Sequence, residues 1–327
     1  MNPLTGLYGA ATALRNTLFD RGVLASRRLE QPVVSVGNLS VGGSGKTPFV
    51  IALGELLKAR GIRFDVLSRG YGRKTHGVLV VESNGKATDF GDEPLLIARR
   101  LGVPVIVGES RYEAGQVAEQ RFQPQLHILD DGFQHRSLAR DFDIVLVTDR
   151  DFDDRLLPSG RLREPLSSLD RADAIVLPAG FRLDHPNSSR DAACRVSLSV
   201  LPQKPIWRIE RELILPSLPP APVVFCGIAR PEQFFAQVRA AGIAPAVEVE
   251  FRDHHAYDRS DVERLLAMRS KLGAGGFLTT EKDAVNLGPL QEDLEPFAVA
   301  TLSLTLEDPA GVLDAILART AEQKPRS

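Results

Sequence analysis

The chain has 327 residues, more than one hydrophobic core usually serves, so two domains are expected. Hydrophobic residues make up 43% and charged residues 25%, as in a soluble globular protein, and the net charge of −2 argues against nucleic-acid binding while leaving room for a local basic patch. Two cysteines, Cys194 and Cys226, match no metal spacing and no disulfide framework, which points to a reducing compartment without disulfides.

The first segment in chain order is "PLTGLYGAATALRNTLFDRGVLASRRLE". At helical spacing Leu4, Leu7, Tyr8, Ala11, Leu14, Leu18 and Phe19 fall near one face, with Arg15, Arg21, Arg27 and Arg28 interrupting or following the stripe. No apolar run approaches the ~20 residues that span a bilayer, and no signal-peptide cleavage pattern follows. Residues 1–28 therefore fit two uses: a helix packed on its own domain, and a helix lying in a membrane interface with arginines at anionic headgroups. The two are compatible if one end protrudes.

Strand and helix patterns then alternate. "PVVSVGN" is a buried strand, and "KTPFVIALGELLKARG" is a helix with Pro48 in its first turn and Gly61 at its end. Strands "FDVLSRG" and "GVLVVE", helix "DEPLLIARRLG", strand "PVIVG" and helix "SRYEAGQVAEQRF" follow. Strands "LHILDDG", "DIVLVTD" and "ADAIVLP" complete the series. Such alternation specifies an α/β fold with a mostly parallel sheet flanked by helices. Past residue 190 the texture changes: "CRVSLSV" and "PIWRIER", separated by "LPQK", suggest a β-hairpin, then comes proline-rich "LPSLPPAP", and a second βα series starts at "VVFCGIA". The expected organisation is a core domain at 29–190, a two-stranded linker at 191–220 and a smaller α/β domain at 221–327.

Between the first strand and its helix lies "SVGGSGKT", residues 40–47: Ser40, Val41, Gly42, Gly43, Ser44, Gly45, Lys46 and Thr47. A glycine-rich turn wraps backbone N–H groups around phosphates, the helix dipole favours the anion, the lysine reaches the outer phosphates, and the threonine hydroxyl ligates Mg²⁺. The pattern G-x-x-x-x-G-K-[ST] needs glycine at position 40, where this chain has Ser40. The placement between strand and helix outweighs that departure and favours a P-loop over an ordinary strand–helix turn.

Further motifs extend this reading. "LHILDDGFQH" ends a strand in Asp130 and Asp131, where a neighbouring strand would present carboxylates to a metal; a solvated turn has the same look. "SRGYGRK" offers Arg69, Arg73 and Lys74 as a basic loop or as a clamp for an anionic substrate. "PSGRLREPLSSL" contributes Arg163, suited to neutralising a transferring phosphoryl group, and Glu164, suited to a metal.

"GNLSVGGSGKTP", "LSRGYGR", "GDEPLLIA", "DDGFQHR", "PSGRLREPLSSL", "DHHAY" and "LTTEKDAV" occur in this order over roughly residues 35–285, and together they resemble the tetraacyldisaccharide 4′-kinases, the lipid A 4′-kinases of Gram-negative bacteria. Members of that family also lack the first glycine. The resemblance implies transfer of the ATP γ-phosphate to the 4′-hydroxyl of a tetraacylated diglucosamine 1-phosphate, a lipid A precursor, at the cytoplasmic leaflet of the inner membrane. It implies a P-loop core with an N-terminal helix, a smaller α/β domain and a two-stranded linker. Peripheral attachment through the N-terminal helix would follow, leaving the acyl chains in the bilayer.

Site residues are implied in the same way. Asp92 in "GDEP" matches the base, although aspartate before Glu-Pro is also an ordinary helix opener. His254 in "DHHAY" matches its partner; position favours it over His255, but the residues alone leave the choice open. Lys46, Thr47, Asp130, Asp131, Arg163 and Glu164 would form the phosphate and metal shell, with Gln134 and His135 nearby. Lys282 would approach nucleotide or substrate, or else pair with Glu281 or Asp283. A rival of another class is a membrane-recruited P-loop ATPase acting as a switch or positioning factor, which needs neither a sugar clamp nor a second-domain base.

Overall fold

The computed structural model describes residues 3–181, 201 and 204–322. Among these described residues one twelve-stranded sheet runs in the order β10-β9-β11-β12-β8-β7-β6-β1-β5-β2-β4-β3. Its first parallel set comprises β1 (Val33–Asn38), β2 (Phe64–Ser68), β4 (Val105–Val107), β5 (Leu126–Asp130), β6 (Phe142–Leu146) and β7 (Ala174–Pro178). These strands are short, β-branched and buried almost throughout, as a parallel sheet covered on both faces requires. The second set comprises β9 (Val223–Cys226), β10 (Val247–Glu250), β11 (Phe277–Thr280) and β12 (Phe297–Leu306).

β8 (Ile206–Ile214) joins the two sets: it runs parallel to β7 and antiparallel to β12, with Arg211 opposite Leu304. This strand is the "PIWRIER" arm of the expected hairpin, and its antiparallel partner is β12; the "CRVSLSV" arm lies outside the described residues. The predicted "GVLVVE" strand shortens to β3 (Leu79–Val80), because it sits at the sheet edge with only three-residue β4 to pair with.

Helices α2 (Lys46–Ala59) and α4 (Asp92–Leu101) cover one face of the first set around Phe49, Leu53, Leu95 and Ile97. The other face packs Leu67, Ile106 and Leu129 against α5 (Arg111–Phe122). Two one-turn helices, α3 (Ala87–Phe90) and α6 (Asp149–Phe152), fill connections. In the second half α7 (Pro231–Ala240), α8 (Arg259–Leu272) and α9 (Glu281–Leu287) flank cores built on Phe225, Phe277 and Phe234. The last helix, α10 (Pro309–Glu322), returns to the first core through Val312, Leu313 and Ile316, so the stretch 221–327 does not keep to one core.

The N-terminal helix α1 (Pro3–Asp20) buries no residue completely. Leu4, Leu7 and Leu14 point to solvent at 58%, 69% and 61% exposure. The side toward the protein is polar: Tyr8 Oη donates to the Arg163 carbonyl at 3.0 Å, Arg15 to the Gln134 carbonyl at 2.8 Å, and Asn16 Nδ2 to Glu164 Oε2 at 2.7 Å. Tyr8 therefore leaves the leucine stripe in which the sequence pattern had placed it, and Phe19 lies between the Arg15 and Arg136 guanidinium groups.

Candidate active site

Strand adjacency assembles the site. β1 lies between β5 and β6, and β2 lies beyond β5, so the loops leaving β1, β5 and β2 open at one edge, where open α/β sheets bind ligands. Register pairs Val36 with Asp130, which brings Asp130 and Asp131 beside the loop that follows Asn38. A cavity of about 1040 Å³ opens there, walled by the first set, by α1 and by the second half.

The glycine loop has the geometry its composition implies. Gly42 and Gly45 adopt φ of +98° and +87°, and Gly45 caps α2, whose first-turn Pro48 costs no hydrogen bond. A Cβ on Gly45 would come within 2.6 Å of the Arg211 guanidinium, which donates to the Ser44 carbonyl. Lys46 Nζ donates to Asn38 Oδ1 at 3.0 Å and lies 3.4 Å from Asp131. Val41 through Thr47 line the cavity, whereas Ser40 is buried beneath the loop, bridged to Leu162.

Beside the loop, Asp131 accepts from Arg163 at 2.8 Å, and Arg163 also donates to Gln134 Oε1 at 3.3 Å. Burial would raise the Asp131 carboxyl, but Lys46 and Arg163 outweigh it and hold the group below the ordinary carboxylate range. Asp130 behaves oppositely: burial, with Glu93 and Asp131 nearby, pushes it up to about 7. Its Oδ2 accepts from Ser68 Oγ at 3.0 Å, while buried Oδ1 has no hydrogen-bond partner. Glu164 is likewise half engaged, with Arg171 at 2.9 Å and Asn16 on Oε2 and no partner for Oε1.

These atoms bear on whether the site suits Mg²⁺. The Thr47 hydroxyl and the unpartnered Asp130 oxygen are hard donors at the edge of a phosphate loop, and a cation would offset the penalty on an ionised Asp130. Among the described residues no group of three His, Cys, Asp or Glu side chains forms a closed cage. Magnesium needs none, since one or two carboxylates and substrate phosphates suffice. The residues fit the ion.

Asp92 and His254 meet across the cavity's second wall. His254 Nδ1 lies 2.9 Å from Asp92 Oδ2, and the Glu93 backbone N–H and Asn286 Nδ2 donate to the same carboxylate at 2.9 and 3.1 Å. Lys282 Nζ stands 3.2 Å from His254 Nε2, 3.3 Å from Glu93 and 3.7 Å from both Asp92 and Asp253. With an ammonium facing Nε2, the imidazole proton belongs on Nδ1, toward Asp92. Burial opposes ionisation of Asp92, yet the His254 hydrogen bond and the Lys282 charge hold its pKa below the usual value. Burial would lower His254, but its bond to Asp92 raises it. Asp92 is only 4% exposed, and His254 is the member of the pair that borders the cavity. His255 turns away to Asp261 at 2.7 Å, so of the two histidines it is His254 that contacts Asp92.

Arg69, Gln134, Arg163, Glu164 and Lys282 also line the cavity, but Arg73 and His135 do not. Arg73 folds back onto Glu109 at 2.7 Å, and His135 turns to Ser137 at 3.1 Å. Burial, with Arg111 and Arg140 nearby, pushes His135 down to about 4. Sequence reasoning missed Arg211 and Arg230, cavity-lining cations brought in by β8 and the β9–α7 loop, and Tyr71, whose ring lies 5.1 Å from His254. It also missed Asn286 behind Asp92. The i,i+2 alternation along β8 hinted that Arg211 faces inward, but not what it faces.

Residues 1–321 match the family model described as tetraacyldisaccharide-1-P 4′-kinase. A tetraacyldisaccharide 4′-kinase from Koribacter versatilis is 49% identical over 329 residues, covering 97% of this chain and 98% of its own. One from Geobacter metallireducens is 38% identical, covering 94% of each chain. The structure is similar to a crystal structure of LpxK from Aquifex aeolicus in complex with ATP, with a TM-score of 0.76 and 34% identity over 97% of this chain and 98% of that one.

Proposed function

The chain belongs to the tetraacyldisaccharide 4′-kinase family, and from that premise we propose how its own residues perform the reaction. It is an ATP-dependent kinase that phosphorylates the 4′-hydroxyl of a tetraacylated diglucosamine 1-phosphate in lipid A synthesis. The observation that carries the assignment of roles is the Asp92–His254 contact at 2.9 Å, with His254 and Lys46 lining the same cavity.

The loop Val41–Thr47 holds the triphosphate through its N–H groups and Lys46, and Arg163 neutralises charge on the phosphoryl group. Thr47 and Asp130 would hold Mg²⁺, with Asp131 and Glu164 as further acidic groups nearby; when bound, the ion would neutralise phosphate charge. Arg69 and Gln134 face the sugar phosphate from the cavity wall. The 4′-oxygen bonds to the γ-phosphorus as the bond to the bridging oxygen breaks, and the hydroxyl proton passes to the pair at His254 Nε2, whose Nδ1–H is held by the ionised Asp92. Asp92 is kept ionised and oriented by three donors, and His254 presents the pair to the cavity. Lys282 fixes the tautomer and balances the acidic cluster. A switch ATPase would have no use for such a pair.

The division into a core bearing the phosphate loop and a smaller half bearing His254 belongs to the same proposal. So does peripheral attachment at the cytoplasmic face of the inner membrane. Among the described residues no helix is long and apolar enough to cross a membrane, and α1 turns Leu4, Leu7 and Leu14 outward. These side chains suit shallow burial at a headgroup boundary, where the substrate's acyl chains lie.

Incubation with γ-labelled ATP, Mg²⁺ and the tetraacyldisaccharide 1-phosphate tests this reading. Wild-type protein should move label to the lipid, and Asp92→Ala should bind ATP normally while transferring at a rate lower by a factor on the order of 1000. Undiminished transfer by Asp92→Ala would overturn the role of the pair.

A further inference from the structure

Asp283 is fully buried and does not border the cavity, yet it is tied to three segments that surround His254. Its Oδ1 accepts from the Gly227 N–H at 2.7 Å and from Tyr257 Oη at 2.9 Å, and its Oδ2 accepts from Thr280 Oγ1 at 2.6 Å. Gly227 in turn accepts the His254 N–H on its carbonyl at 3.1 Å. His254 adopts φ of +56°, a left-handed conformation that a side-chain-bearing residue keeps only when its surroundings impose it. The fit is close: a Cβ on Gly227 would lie 2.8 Å from the Arg252 carbonyl oxygen and 3.2 Å from Asp283 Oδ1. Lys282, which faces His254 Nε2, is the preceding residue on the same turn of α9.

We propose that Asp283 is the positioning residue of the catalytic pair: through Gly227, Tyr257 and Thr280 it fixes the backbone of His254 and the start of α9, and so aims the imidazole at Asp92. Asp283 acts through His254 and touches neither substrate nor nucleotide. The inference rests on the reading of Asp92 and His254 given above. A carboxylate suits the task because two of its donors converge on one oxygen while a third occupies the other, an arrangement no apolar side chain reproduces.

The test is a double-mutant cycle on the full chain, measuring kcat and the KM for ATP. Asp283→Ala should lower kcat on the order of 100-fold, the scale of a small misplacement of a reacting group, and leave the KM for ATP within about twofold. Asp283→Asn, which keeps an acceptor for Gly227 and Tyr257, should recover most of the rate. In a His254→Ala background, Asp283→Ala should cost nothing further, because the residue it positions is gone. Tyr257→Phe removes a single bond and carries the same cycle at smaller amplitude if Asp283→Ala fails to fold. A wild-type kcat for Asp283→Ala, or an equal loss with and without His254, would overturn the proposal. Full activity of His254→Ala alone would instead sink the reading of the pair on which it stands.

Discussion

Lys282 Nζ lies 3.2 Å from His254 Nε2 while the opposite ring nitrogen lies 2.9 Å from Asp92, so one imidazole is gripped from both sides by groups of opposite charge. Removing the ammonium frees Nε2 to carry the proton. Lys282→Met should therefore let the imidazole change tautomer and lower kcat by about tenfold or more, with the KM for ATP nearly unchanged. Steady-state kinetics at fixed lipid concentration check this; an unchanged kcat would show that Lys282 does not control the imidazole.

The phosphate loop makes a second expectation. Lys46→Ala removes the cation that reaches Asn38 and Asp131 and should lower kcat/KM for ATP at least 100-fold. Arg211→Ala leaves the loop's sequence intact but takes the guanidinium off the Ser44 carbonyl, and should raise the KM for ATP by about tenfold. Equilibrium binding of a non-hydrolysable ATP analogue separates the two effects.

A third concerns pH and stability away from the site. His127 is buried with Asp65 at 2.9 Å and Glu119 at 3.3 Å. Burial alone would lower its pKa, but the bonds to Asp65 and Glu119 outweigh it and hold the pKa at about 9. A folded-state pKa above the unfolded value stabilises the fold fully below about pH 6.5, and that contribution disappears as pH rises through about 9. His127→Gln should therefore be less stable than wild type by about 3 kcal/mol at pH 6, with the gap closing toward pH 9.5. Thermal denaturation across that range checks it; a pH-independent gap would contradict the charged state of His127.

The outward leucines of α1 make the fourth. Replacing Leu4, Leu7 and Leu14 together with glutamate changes side chains that are 58%, 69% and 61% exposed, so Tm should move little. Binding to anionic vesicles, measured by co-sedimentation, should be lost. Retained binding would mean that another surface meets the lipid.

Much of the candidate site was legible in the sequence because contiguous residues carry it. The glycine loop, Asp130, Asp131 and the helix-opening Asp92 each sit at the end of a strand or the start of a helix, where local pattern reports position. Arg211 was not legible, since its place over the loop depends on β8 pairing with β12 some ninety residues later in the chain. The place of Arg73 was not legible for the same reason in reverse: its basic motif looked like a clamp, but its guanidinium lies on Glu109, thirty-six residues later in the chain. The α1 stripe was visible, yet only the docked helix shows that Tyr8 belongs to the polar side, where its hydroxyl finds the Arg163 carbonyl.

That docking has a consequence for how the enzyme works at a surface. Three of the polar contacts that seat α1 end on Arg163, Gln134 and Glu164, all of which also wall the cavity. The side chains that would grip lipid and those that steady the phosphate shell are thus two rims of one helix. On the proposed attachment, a tug from the bilayer would reach Arg163, Gln134 and Glu164 through the side chains of α1, so anchoring and turnover would be mechanically coupled.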